Sequence, residues 1–255
     1  MRLKRQKSLF SAVMFGAILG AFSIFQTTTA YAQNQQGNTD FKSWEQLSEG
    51  VYVFGSAGAA FIDQKIGSRV PKSGTISFST NDKDKASFIA TTGVGLHMHR
   101  YFAFEVGYSY FTGAEYRGTI SASNANLSNY VIDGSPDYVE DIYGHMITMG
   151  LAGTTYDLHD GIGLGLRVGA VLYDLTDEMR LSGSGTLNGN SVSSGNSKIK
   201  INDSGVSWTA GATVFIVPSI HDRFELRANY MNALEIDTFN KLNVTTAEIS
   251  YRRRF

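Results

Sequence analysis

Tyr101-Phe102-Ala103-Phe104-Glu105-Val106-Gly107-Tyr108-Ser109-Tyr110-Phe111 decides the fold. Phe102, Phe104, Val106, Tyr108 and Tyr110 fall on one parity, and Ala103, Glu105, Gly107 and Ser109 on the other. Successive side chains of a strand point to opposite faces, so this alternation marks a strand with one apolar and one polar side. The pattern recurs outward from this stretch. Ile162 to Tyr173 sets Leu164, Leu166, Val168, Ala170 and Leu172 against Gly163, Gly165, Arg167 and Gly169. Val206 to Ile216 sets Val206, Trp208, Ala210, Ala212, Val214 and Ile216 against Ser207, Thr209, Gly211 and Thr213. Ser87 to His99 carries Phe88, Ala90, Val94, Leu96 and Met98 on one side, and Phe224, Leu226, Ala228 and Tyr230 alternate with Glu225, Arg227 and Asn229. Asn243 to Phe255 sets Ala247, Ile249, Tyr251 and Phe255 against Glu248, Ser250, Arg252 and Arg254. Gly50 to Asp63 and Asp141 to Leu158 also read as strands, although neither has a parity that the residues settle. Eight antiparallel strands are thus expected between residues 50 and 255.

The connections alternate in length. Met98 to Tyr101, Leu158 to Gly161 and Pro218 to Arg223 read as tight turns, whereas residues 62–86, 113–140, 174–204 and 232–242 read as longer polar connections. Short periplasmic turns alternating with longer external loops are what outer-membrane barrels show. The sequence places Pro71, Pro136 and Pro218 in connections, because a proline cannot complete a strand's hydrogen-bond ladder. Asp82-Lys83-Asp84-Lys85 reads as a solvated loop tip, and Ser182 to Asn202 as mobile loop or as an extension of its hairpin above the membrane.

A soluble up-and-down barrel also alternates, but turns its apolar side inward. The interior of an eight-stranded barrel has room for little more than side chains. Gly, Ser, Ala and ionic residues suit such a lumen, while Phe, Tyr, Leu and Trp suit lipid. Glu105, Arg167, Glu225, Arg227, Glu248, Arg252 and Arg254 all sit on polar faces, with both signs present. Burying any of them alone would cost several kcal/mol, so an ion-paired lumen network that plugs the barrel is expected, with a charged or gated pore as the alternative. Lipid also requires closure, because an open strand edge would leave backbone groups unsatisfied.

The first 32 residues read as a secretory signal peptide. Arg2, Lys4, Arg5 and Lys7 precede an apolar run from Leu9 to Phe25, and Ala30-Tyr31-Ala32 forms a small-residue cleavage site with the cut after Ala32. An uncleaved anchor is disfavoured by Ser11, Gly16, Gly20 and Ser23 within the run. Residues 33–49, rich in Gln, Asn and Asp, read as a flexible periplasmic segment. The chain contains no cysteine, which excludes disulfides, thiolate metal sites and a lipid-modified cysteine. Removing the leader leaves 18 basic against 23 acidic residues, which argues against a nucleic-acid partner.

The carboxyl end, Ala247-Glu248-Ile249-Ser250-Tyr251-Arg252-Arg253-Arg254-Phe255, resembles the terminal strand of bacterial outer-membrane proteins. The resemblance implies an assembly signal in Ile249, Tyr251 and Phe255, recognised by the insertion machinery; Arg253 departs from the apolar residue usual at its position. Phe102 to Phe111 is similar to the strand of OmpA-type and opacity-type barrels that places a glutamate in the lumen. The likeness covers residues 50 to 255 and implies no peptidoglycan-binding domain.

Some barrels of this size act on lipid A, which makes the histidines worth weighing. His97, His99, His159 and His221 fall at periplasmic turns, and His145 lies near the outer rim with Glu140, Asp141 and Ser109 as neighbours of interest. A general base needs geometry first, and no Ser/His/acid grouping is evident. His97-Met98-His99 lacks a third metal ligand nearby. The expectation is therefore a non-enzymatic outer-membrane barrel without cofactor, metal or nucleic-acid partner. It would contact outer-membrane lipid and lipopolysaccharide, contribute to the envelope and meet host or surface ligands through its loops. A narrow solute pore and a lipid-A-modifying enzyme are the rivals.

Overall fold

The computed structural model describes residues 50–63, 71–84, 86–99, 101–127, 129–155, 162–192, 197–218, 221–234 and 242–255. The leader and the segment before Gly50, like His159, lie outside them. The strands are β1 (Gly50–Asp63), β2 (Thr75–Asp84), β3 (Ala86–His99), β4 (Phe102–Leu127), β5 (Tyr130–Thr154), β6 (Ile162–Leu187), β7 (Asn190–Ser191), β8 (Ser197–Ile216), β9 (Asp222–Leu234) and β10 (Leu242–Arg254). Eight of them close a ring in the order β1-β3-β4-β5-β6-β8-β9-β10, with β10 returning to β1 from Tyr52↔Arg254 to Asp63↔Asn243. All pairings are antiparallel, so the fold is an eight-stranded up-and-down barrel.

The outward faces are apolar. Leu166 is 71% exposed, Val206 and Ile249 67%, and Leu226 61%. Such large apolar side chains have no reason to face water from four adjacent strands, and lipid is the solvent that accepts them. Phe102, Phe104, Phe224, Tyr251 and Phe255 ring the end at which β4 begins, and Phe88, Tyr110, Trp208 and Tyr230 ring the level about eight residues further along. Eight steps of about 3.4 Å, tilted by about 40°, span about 21 Å, so that the two rows lie just inside the borders of the roughly 25 Å band of an outer-membrane barrel.

Beyond this band the molecule differs from the sequence expectation. Residues 113–140 and 174–204 are mostly strand: β4 and β5 run on to a tight connection between Leu127 and Tyr130, and β6 turns at Leu187 towards Asn190. The Ser/Gly stretch from Ser182 extends the hairpin, with Ser182 paired to Asp137 and Ser184 to Ser135. Asp82, Lys83 and Asp84 are not a loop tip; they pair with Arg117, Tyr116 and Glu115. β2 continues β3 along the outer half of β4, so β2-β4-β5-β6-β8 forms a curved sheet standing above the lipid band.

The reason is an inversion of polarity. Inside the extension Tyr116, Ile120, Leu127, Ile132, Tyr138, Ile142, Leu175, Met179, Leu181 and Ile199 are buried on the inner face, while polar residues take the outer one. In water a curved sheet hides its apolar side, as in a soluble barrel. Pro136 lies within β5, not in a connection. It pairs with Gly183, and the β4–β5 ladder is interrupted beside it, between Thr119↔Asp137 and Ala122↔Gly134. A proline is tolerated where no hydrogen bond is asked of its nitrogen. Gly134 and Gly183, with φ of 100° and 92°, mark the same irregularity.

Candidate functional site: the lumen and the outer rim

Inside the lipid band the lumen is built from the polar parity of each strand. Glu105 on β4, Arg167 on β6, Glu225 and Arg227 on β9, and Arg252 on β10 converge there. Arg167 Nη2 lies 3.2 Å from Glu105 and 3.1 Å from Glu225. Arg252 Nη2 lies 2.7 Å from Glu105 and 2.8 Å from Glu225, and Arg227 Nε donates to Glu225 at 2.5 Å. Two carboxylates and three guanidinium groups thus form one connected cluster, in which Glu105, Glu225, Arg227 and Arg252 are buried and Arg167 is partly buried. Mutual pairing offsets the desolvation that any single charge would suffer there.

Glu248 and Arg254 stand apart from this cluster. Glu248 accepts hydrogen bonds from neutral groups: Ser56 Oγ at 2.5 Å, Thr91 Oγ1 at 2.9 Å, Thr246 Oγ1 at 2.8 Å and Asn229 Nδ2 at 3.3 Å. Arg254 is buried near the periplasmic end, where its guanidinium flanks Gly50.

Several lumen residues were not among the sequence candidates. Arg223 joins the cluster at 2.9 Å from Glu225 and lies over the Phe215 ring, 3.3 Å from its centroid. Tyr52 donates to Glu105 at 2.5 Å and lies beneath Arg252, while Phe54 faces Arg227. Both aromatic residues come from Gly50–Asp63, where Ala and Gly on both faces hide the parity. A signal existed in the glycines opposite. A Cβ at Gly95 would strike the Tyr52 ring, at Gly93 the Phe54 ring, and at Gly163 the Phe215 ring. Above the cluster, Thr91, Ser109, Thr148, Thr209 and Asn229 line a polar chamber. Met146, Phe111, Ile89, Leu175 and Met231 then close the lumen with apolar side chains.

The rim candidates are separated. His145 faces outward, and its Nδ1 shares a 2.5 Å hydrogen bond with Tyr108 Oη. Ser109 faces the lumen and bonds Thr91 at 2.9 Å, and Glu140 is buried inside the external sheet. Asp141 lies further up the outer face, paired in register with Glu115 and Glu178. At the other end, His97 lies against Tyr52, with ring centroids 4.8 Å apart, whereas His99 packs near Tyr101 and Phe102. Among the described residues no group of three or more metal-ligating side chains occurs. Ile249 and Tyr251 project from the lipid-facing side of β10, Phe255 is exposed directly after it, and Arg253 reaches Asp222 at the periplasmic rim, 3.5 Å away.

The sequence pattern of the OmpA-like transmembrane domain matches residues 48–254. The chain belongs to this family. As an OmpA-like barrel it is an integral protein of the outer membrane, set in lipid and lipopolysaccharide. Among solved structures it is similar to Neisserial surface protein A, with 13% identity over 81% of this chain and 97% of that one, at a TM-score of 0.45. It is similar also to Ail, the attachment invasion locus protein of Yersinia pestis, with 15% identity over 81% and 99% of the two chains and a TM-score of 0.39. The outer membrane protein OprG from Pseudomonas aeruginosa shares 13% identity over 82% and 97%, with a TM-score of 0.44. No curated protein matches the sequence.

Proposed function

We propose that this OmpA-like barrel is a non-enzymatic envelope protein whose external sheet presents a rigid surface to host or environmental partners. The observation that carries this reading is the double closure of the lumen. The Glu105–Arg167–Glu225–Arg227–Arg252 cluster fills the membrane level, and the apolar core of the extension fills the level above. A barrel sealed in this way gives its long strands no use as a conduit. Projecting the β4–β5 and β6–β8 hairpins outward gives them a use as a contact surface.

In this reading the chain is exported by its leader, cleaved after Ala32, and inserted through recognition of Ile249, Tyr251 and Phe255. Separation of His145 from Ser109 and Glu140 supports the absence of catalysis. The test uses whole cells and planar bilayers together. Replacing residues 118–137 by a short turn abolishes attachment of expressing cells to host surfaces while the barrel keeps its heat-modifiable gel migration, and the intact protein shows no steady conductance. Unchanged attachment would remove the adhesive role. Steady single-channel currents altered by Arg167→Gln would favour the second reading, a narrow pore through the polar chamber, for which Glu105, Arg167, Arg227 and Glu248 on the lining of that chamber speak.

A further inference from the structure

Counted inward from the periplasmic end, the lumen-facing positions of β9 and β10 read Arg254, then Arg223 opposite Arg252, then Glu225 opposite Ser250, then Arg227 opposite Glu248. Three guanidinium groups thus precede the first carboxylate. On β4 the inward Ala103 precedes Glu105, and among the described residues no acidic side chain faces the lumen below Glu105 and Glu225. Like charges directly opposite each other on neighbouring strands repel. Arg223 and Arg252 both reach Glu225, at 2.9 Å and 2.8 Å, but Arg167 and Arg227 draw on the same carboxylate from above. Four guanidinium groups share the two carboxylates Glu105 and Glu225, and the excess of positive charge falls on the periplasmic side.

This mouth is built rather than merely charged. Arg223 lies over the Phe215 ring and Arg252 over the Tyr52 ring, 3.3 Å and 4.0 Å from the centroids, and Gly163 and Gly95 leave those rings their space. A ring holds a guanidinium by its flat face and leaves the N–H groups along its edge to bind something else. Arg252 is 3% exposed, yet its Nε and Nη1 have no hydrogen-bond partner. Buried donors of this kind call for an acceptor. His97 packs on Tyr52 and stands opposite Gly50, where a Cβ would come within 3.1 Å of the Arg254 guanidinium. His97 and Gly50 are both partly exposed, so periplasmic water reaches the mouth beside them.

Guanidinium forks presented from neighbouring strands, with positive charge in excess, match an acceptor that carries several oxygens and more than one negative charge. We propose that Arg223, Arg252, Arg254 and His97 form a receptor for a phosphate group at the periplasmic mouth of the barrel. The phosphate enters from the periplasm and stops there, because the Glu105 and Glu225 carboxylates stand directly above and turn an anion back. The site is therefore a dead end and not a stage of a conduit. A free phosphate ion and a phosphate monoester offer the same oxygens to it. The receptor is independent of adhesion, which belongs to the opposite end of the molecule.

The test is isothermal titration calorimetry of the folded protein in a zwitterionic detergent at constant ionic strength, with inorganic phosphate, glycerol 3-phosphate or sodium chloride as titrant. Heat-modifiable gel migration verifies that each variant is folded. The wild-type protein binds one phosphate saturably and shows no saturable heat with chloride. Arg223→Gln and Arg254→Gln each weaken phosphate binding by at least about ten-fold. His97→Ala, at a partly exposed position that tolerates truncation, weakens it by about three-fold, and Arg180→Gln, on the external sheet, leaves it unchanged. Glycerol 3-phosphate bound at least as tightly as phosphate supports the receptor with a monoester as its occupant, and binding of inorganic phosphate alone supports it with the free ion. Absence of saturable phosphate binding, equal response to chloride, or binding that survives both Arg254→Gln and His97→Ala would overturn the site.

Discussion

Glu225 takes more of the lumen's positive charge than any other described residue, with Arg167, Arg223, Arg227 and Arg252 all within 3.1 Å of its carboxylate. Removing the negative partner of a buried network leaves its cations unpaired, which typically costs about 3–5 kcal/mol. Glu225→Gln should therefore lower the unfolding midpoint in urea by that order. Glu248→Gln, whose partners are three hydroxyls and an amide, should cost nearer to about 1 kcal/mol. Equal losses in the two variants would mean that the arginines are not held by Glu225. On the external sheet a different balance holds. Burial and the neighbouring Glu115 carboxylate push the Asp141 pKa up, whereas hydrogen bonds from Lys198 and Arg180 hold Glu178 down. A carboxyl raised in the folded state penalises that state once ionised, and the penalty disappears as pH falls through its raised pKa. Glu178 acts oppositely: its contribution is present above the ordinary glutamate pKa and is lost as pH falls through its depressed value. Asp141→Asn should accordingly slow proteolysis of the external sheet at pH 7.5 and have a smaller effect as the pH is lowered; faster cleavage of the variant at pH 7.5 would contradict the assignment.

At the scale of the strand, β6 shows both what the sequence makes legible and what it hides. From Ile162 to Leu172 the apolar residues fall on the outward parity, and that half of the strand can be read directly. From Val171 onward Tyr173, Leu175, Met179 and Leu181 are apolar on the inward parity. The geometry of the strand is unchanged, but its outer solvent has changed from lipid to water, so the apolar class moves to the other face. A reading that follows one apolar face through the strand loses phase there and assigns a polar loop. The same switch passes through β5 near Met146 and Ile147, which explains the unsettled parity of Asp141 to Leu158. In β4 a bulge between Phe111 and Ala114 shifts the register as well. The ionic lumen residues escaped this difficulty because all of them lie within the lipid band. The external core makes its own prediction: Leu175→Ala, at a fully buried position, should destabilise the extension by about 2–5 kcal/mol. Limited proteolysis of intact cells should then cut within residues 113–140 while the membrane-level barrel survives, and a cleavage pattern unchanged from wild type would show that no such core forms.

The molecule as a whole joins a closed barrel and a curved sheet of opposite polarity along continuous strands: the barrel below has ions inside and lipid outside, and the sheet above has apolar side chains inside and water outside. Each part follows from the solvent it meets, and the aromatic rows at Phe102 and Tyr110 mark the borders of the lower one. Because the natural chain has no cysteine, a nitroxide can be placed at each position from Ile162 to Thr186 without any background substitution. Collision with lipid-soluble oxygen and with a water-soluble nickel chelate in reconstituted membranes then reports the solvent at every residue. Oxygen access should peak at 164, 166, 168, 170 and 172, nickel access should replace it at 174, 176 and 180, and 171, 175, 179 and 181 should be shielded from both. Oxygen access on the odd positions below 171, or uniform nickel access without alternation beyond 174, would contradict the inverted two-level arrangement.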